Sequence, residues 1–80
     1  MTMMENEIRK QAEDIFNIWL DSQKPSVIIT CEPDEYVTAL SCLQNLVEVY
    51  NADHPTEKNI LQLATDTTIC TIWIRRRPYR

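Results

Sequence analysis

Apolar residues recur at helical spacing in "ENEIRKQAEDIFNIWLDSQ", where Ile8, Ala12, Ile15 and Trp19 mark one face, widened by Phe16 and Leu20. Glu5, Glu7, Arg9, Lys10, Glu13, Asp14 and Asn17 fall on the opposite side. The pattern predicts an amphipathic helix over 5–22. Lys24-Pro25 ends it, because a residue before proline is driven out of the helical region. "SVIITC" is then a β-branched run of strand length, 26–31, with Val27, Ile29 and Cys31 facing one way.

A second helical pattern covers 33–51. Pro33 suits a first helical position, and Asp34 and Glu35 suit the positive end of the dipole. One stripe is Tyr36, Leu40, Leu43, Val47 and Tyr50, and beside it run Ala39, Cys42, Leu46 and Val49. Such an arc exceeds the roughly 100° that a helix lying on one sheet uses. It predicts cover on two sides. After the loop "NADHPTEKN", the runs "ILQLAT" and "TICTIWIRR" predict a hairpin of strands 59–65 and 68–76 with a loose turn around Asp66. "TEKNILQLAT" also admits a short helix capped by Thr56.

The element order α-β-α-β-β predicts an α+β domain, one unit over 1–80: a three-stranded mixed sheet packed against two helices. The simplest arrangement makes the first strand, second helix and second strand a right-handed crossover, with the third strand returning antiparallel. The last strand is apolar on both faces. Thr68, Cys70, Ile72 and Ile74 alternate with Ile69, Thr71, Trp73 and Arg75, so Ile69 and Trp73 need cover from the first helix or from a second copy. At this mass roughly 63% of the extended chain's surface is expected to be buried, which is marginal for a lone domain.

Charge adds a further contrast. Residues 1–66 hold all 12 acidic groups against Arg9, Lys10, Lys24 and Lys58, a balance of −8, and residues 67–80 carry +4 from Arg75, Arg76, Arg77 and Arg80. An acidic body repels polyanions and attracts basic or nucleic-acid-binding proteins. The arginine run reads most simply as a solvated strand end that discourages edge pairing, with Pro78 stopping the strand. It also suits an acidic partner surface. A nucleic-acid grip, with Trp73 or Tyr79 stacking on a base, is disfavoured by the −8 body and by the alternation that separates Arg76 from Arg75 and Arg77.

Chemical motifs are sparse. The chain contains no glycine, which excludes P-loops, dinucleotide turns and nucleophile elbows, since each needs glycine at a fixed point. Cys31, Cys42 and Cys70 are widely spaced and form no CxxC pair, which predicts buried, reduced thiols, no metal site and a cytoplasmic setting. No secretory or membrane-spanning segment is expected either. His54 beside Asp53 reads as a loop histidine, and the carboxylates of "EPDE" read as a helix start.

These readings predict no catalytic residues and no cofactor. They predict a non-enzymatic interaction protein, homodimeric, of the kind found among small inhibitors, adaptors and accessory proteins of phages and mobile elements. Its partner is another protein, one that binds nucleic acid if the acidic surface makes the contact. Candidate partner-binding residues are Trp73, Ile69, Arg75, Arg76, Arg77, Tyr79, Asp34 and Glu35. Candidate dimer residues are Leu46, Val49, Tyr50 and Trp73, aromatic and aliphatic anchors of the type enriched at interfaces. The alternative is nucleic-acid binding through Arg75–Arg77 and Arg80.

Overall fold

The computed structural model describes residues 5–54 and 59–78. The elements follow the expected order: α1 (Glu5–Ser22), β1 (Ser26–Thr30), α2 (Tyr36–Asp53), β2 (Asn59–Asp66) and β3 (Thr71–Pro78). "ILQLAT" is strand, and Thr56, the cap of the alternative helix, lies outside the described residues.

The sheet is antiparallel rather than mixed, in the order β1-β3-β2. The expected crossover does not pair β1 with β2, because β3 lies between them. Burial explains the insertion. Ile72 is flanked by Ile29 and Thr65, and Ile74 by Val27 and Leu63, and both isoleucines are 0% exposed. Only a central position gives them neighbours on both sides. Side chains directly opposite one another share a face, so Val27, Ile29, Leu61, Leu63, Ile72 and Ile74 point inward. Both helices lie on that face.

The core is one cluster of Ile8, Ala12, Phe16 and Trp19 from α1, Tyr36, Ala39, Leu43 and Val47 from α2, and Ile29, Leu61, Ile72 and Ile74 from the sheet. Phe16, not Ile15, carries the α1 stripe, with Ile15 left at its rim. The broad arc of α2 is explained within the chain. The sheet covers one side and α1 the other, with Leu40, Cys42, Leu46 and Tyr50 packed against the core. Helix α2 starts three residues later than expected, because Glu35 N–H bonds the Glu32 carbonyl and closes a turn that holds Pro33 and Asp34.

Among the described residues, two take the left-handed conformation that glycine would normally supply. Gln23 (φ 59°) ends α1, and Cys70 (φ 48°) ends the turn between β2 and β3. That turn spans Thr67–Cys70, and Thr68 N–H donates to Asp66 Oδ1 at 2.9 Å. Ile69 is therefore a turn residue, and β3 begins at Thr71. The strand also continues through Arg77 and Pro78 instead of stopping before the proline. The amide of Arg76 points toward β1, where it bonds the Pro25 carbonyl. Alternation then aims position 78 the same way, beyond the first residue of β1, where no N–H is required.

The two sheet edges differ. On β2, Asn51 of α2 donates through Nδ2 to the Leu61 carbonyl and accepts the Leu61 N–H at Oδ1, both at 3.0 Å. The side-chain amide thus imitates a neighbouring strand at Leu61 and occupies the edge there. Replacing Asn51 with Ala is expected to cost about 1–3 kcal/mol. Asn17→Ala, on an exposed helix surface, should stay within about 0.5 kcal/mol of the parent. Urea melts followed by circular dichroism compare the two.

Candidate functional site

The strongest candidate is the outer face of the sheet, the side opposite the helices. Its central row crosses all three strands as Ile28, Trp73 and Ala64. Ile28 is 62% exposed, Ala64 is exposed and Trp73 half-buried. Because α1 lies on the inner face, it does not give Trp73 the cover that the sequence called for. Ile69, 56% exposed, projects from the turn at the end of the sheet.

Beside this row, strand register creates a basic corner. Arg75 lies opposite Gln62, and Arg77 follows two residues along on the same face. Gln62 Oε1 accepts from Arg75 Nε at 3.2 Å, Arg75 Nη2 at 3.1 Å and Arg77 Nη1 at 2.9 Å. Two guanidinium groups thus gather on one neutral oxygen. Among the described residues the only ion pair is Arg9–Glu5, on exposed α1. Neither arginine of the corner therefore has a carboxylate in that set. A guanidinium presents a planar fork suited to bidentate carboxylate or phosphate contacts.

Arg76 belongs elsewhere. Its side chain passes to the inner side, donating from Nη2 to the Leu20 carbonyl at 3.0 Å and from Nε to the Lys24 carbonyl at 3.2 Å. Its Cζ lies 4.8 Å from the Trp19 ring centroid. It satisfies the end of α1 and stacks on a core aromatic ring. Alternation alone could separate Arg76 from its neighbours, but its helix-capping partners had no signal in the sequence.

Other candidates are dispersed. Asp34 and Glu35 stand before α2, near the turn end of the sheet, whereas Arg75 and Arg77 lie toward the opposite end. The six steps from Thr71 to Arg77 correspond to roughly 20 Å of strand. The acidic and basic candidates do not form one surface. Leu46, Val49 and Tyr50 are on α2, across the sheet from Trp73, so the four candidate dimer residues do not share a face. Of them, Val49 is 50% exposed, whereas Leu46 and Tyr50 pack against the core. Tyr79 and Arg80 lie outside the described residues.

His54 closes α2. Its Nδ1 lies 2.8 Å from the Tyr50 carbonyl, and its ring stacks on Tyr50 at 4.1 Å. Its hydrogen bond goes to backbone, with no carboxylate or thiol bonded to it among the described residues. No cluster of metal-ligating side chains occurs among those residues, and none of their helices is long and apolar enough to cross a membrane. Comparison with known proteins finds no matching family model, curated protein or solved structure.

The three thiols are free and half-buried. Burial pushes the Cys31 thiol above its ordinary value, helped by the negative charges of Glu35 and of Cys70 when ionised. Burial also raises Cys42, with Glu13 adding and Arg9 opposing. The fold therefore favours the protonated thiols. Their stabilising contribution is complete below the ordinary cysteine pKa and is lost as pH rises through the raised native values. Alkylation of Cys31 and Cys42 near neutrality should be slower than that of a cysteine peptide. The alkaline fall in stability should flatten in a Cys31→Ser/Cys42→Ser variant, as read by mass spectrometry and urea melts.

Proposed function

We propose that the protein is a homodimeric, non-enzymatic interaction module that docks another protein on the outer face of its sheet. The observation that carries this reading is the open row of Ile28, Trp73 and Ala64 beside an arginine pair that, among the described residues, is held by Gln62 alone. A large aromatic ring at the centre of an uncovered face is the usual form of an interface anchor. The guanidinium pair supplies orientation toward carboxylates on the partner. On this reading the contact lies on the basic side of the molecule rather than on the acidic exterior of α1.

The reading fits an inhibitor, adaptor or accessory protein, of the class that phages and mobile elements encode, acting by occupying a partner rather than by chemistry. Three free thiols support a reducing, cytoplasmic setting. Nucleic acid is the second reading, favoured by Trp73 lying on the same face as Arg75 and Arg77. The loss of Arg76 to the inner face and the −8 balance of residues 1–66 weigh against it.

Capture from a lysate of the source cells, with mass spectrometry, tests the docking face. Arg75→Ala/Arg77→Ala and Trp73→Ala should each lower recovery of the specific partner at least about tenfold, the scale of an interface hot spot. Their circular dichroism should remain native. Equal recovery by folded variants rules the face out. Fluorescence anisotropy with DNA and RNA at low salt should stay flat. A rise abolished in Arg75→Ala/Arg77→Ala would replace the protein partner with nucleic acid.

A further inference from the structure

Among the described residues, the sheet edge with no side-chain partner on its backbone is β1, whereas Asn51 occupies β2 at Leu61. Arg76 N–H bonds the Pro25 carbonyl and Cys31 N–H bonds the Cys70 carbonyl, so odd positions along this segment turn their backbone groups toward β3. Ser26, Ile28 and Thr30 then direct theirs outward. Among the described residues no hydrogen bond reaches those groups. Edge strands are normally protected by charge, an interior proline, a bulge or a covering element. Here the strand "SVIIT" has no charge, its proline precedes it, and its pairing with β3 is regular throughout.

An apolar groove of about 390 Å³ runs beside this edge, walled by Ile15 and Ile18 of α1 and by Val27 and Ile28 of β1. Ile18 is 70% exposed. A strand laid along β1 would complete the ladder and cover these side chains together. Backbone pairing supplies affinity in this mode, and side chains set the register.

The segment "KPSVIITCE", residues 24–32, is chemically self-complementary about its centre. Aligned antiparallel on itself, Ile28 faces Ile28, Val27 faces Ile29, Ser26 faces Thr30, and Lys24 faces Glu32. Every outward-directed residue then meets another outward-directed residue. The two terminal pairs are of opposite charge.

We propose that a second copy of the chain occupies this edge, joining β1 to β1 antiparallel about Ile28 to form one six-stranded sheet. This rests on the homodimer in the reading above and assigns its interface. Ser26, Ile28 and Thr30 exchange about six backbone hydrogen bonds with their counterparts, with the central Cα atoms about 5.5 Å apart. Each chain has one β1 edge and the contact is isologous, so pairing stops at two chains, and Asn51 already occupies the β2 edge at Leu61. The outer row becomes continuous from Ala64 through Trp73 and Ile28 into the partner, and the docking face is doubled.

Sedimentation equilibrium, with light scattering after size exclusion, provides the test. Ile28→Asp sets two carboxylates against each other on the dimer axis while leaving an exposed position in the monomer. It should raise the dimer Kd at least about 100-fold with native circular dichroism. Lys24→Glu should raise Kd about tenfold, and Lys24→Glu/Glu32→Lys should return it to within about threefold of the parent. A parental dimer that survives folded Ile28→Asp unchanged overturns this interface while leaving the homodimer standing. If Ile28→Asp does not fold, the charge exchange decides: no loss on Lys24→Glu, or no recovery in the double variant, overturns the register. A parental chain that stays monomeric at millimolar concentration removes the homodimer itself. A monomer whose partner is lost on Ile28→Asp assigns the edge to a foreign strand, which also overturns a second copy.

Discussion

Ile72 and Ile74 retain no solvent-accessible surface, and because strand side chains alternate, their burial decides where every other residue of β3 points. A one-residue slip would carry both isoleucines into water and bring Trp73 and Arg75 against the helices. The register with β1 and β2 is thereby fixed, and with it the outer row and the arginine corner. Arg76 is the same constraint seen from the other side. Being two residues beyond Ile74, it must emerge on the helical face, where the end of α1 and the Trp19 ring receive it.

Much of this frame was legible in the chain. Helical spacing located α1 and α2, β-branched runs located the strands, and the double-sided character of β3 pointed to a face in need of cover. Strand order was less accessible. Pairing depends on which strand needs two neighbours, a property of the assembled core rather than of any local segment. The crossover rule accounts for the shared direction of β1 and β2 but not for the insertion of β3. Likewise, Ile15 and Phe16 are adjacent apolar residues, and only the helix's rotation on α2 decides that Phe16 is buried.

The site was legible as a composition rather than as a surface. Trp73, Arg75 and Arg77 converge because they share strand parity on one face. Asp34, Glu35, Leu46, Val49 and Tyr50 belong to other faces, and no spacing rule relates residues across a sheet. Asn51 and Gln62 carried no signal, since a single amide looks alike in a loop, on a helix or against a strand edge. In the fold they differ: Asn51 occupies the β2 edge at Leu61, while Gln62 gathers two cations that have no carboxylate partner among the described residues. Both helices occupy one face, and among the described residues nothing covers the other face or the β1 edge.

The left-handed Gln23 and Cys70 show that this chain makes two left-handed bends without the residue best suited to them. Each position carries a steric penalty of about 1–2 kcal/mol that glycine would avoid. Excluding glycine also narrows the conformational range of the denatured chain, so less disorder is surrendered on folding. Local discomfort at two bends accompanies a stiffer random coil everywhere else, a useful exchange for a domain with so small an interior.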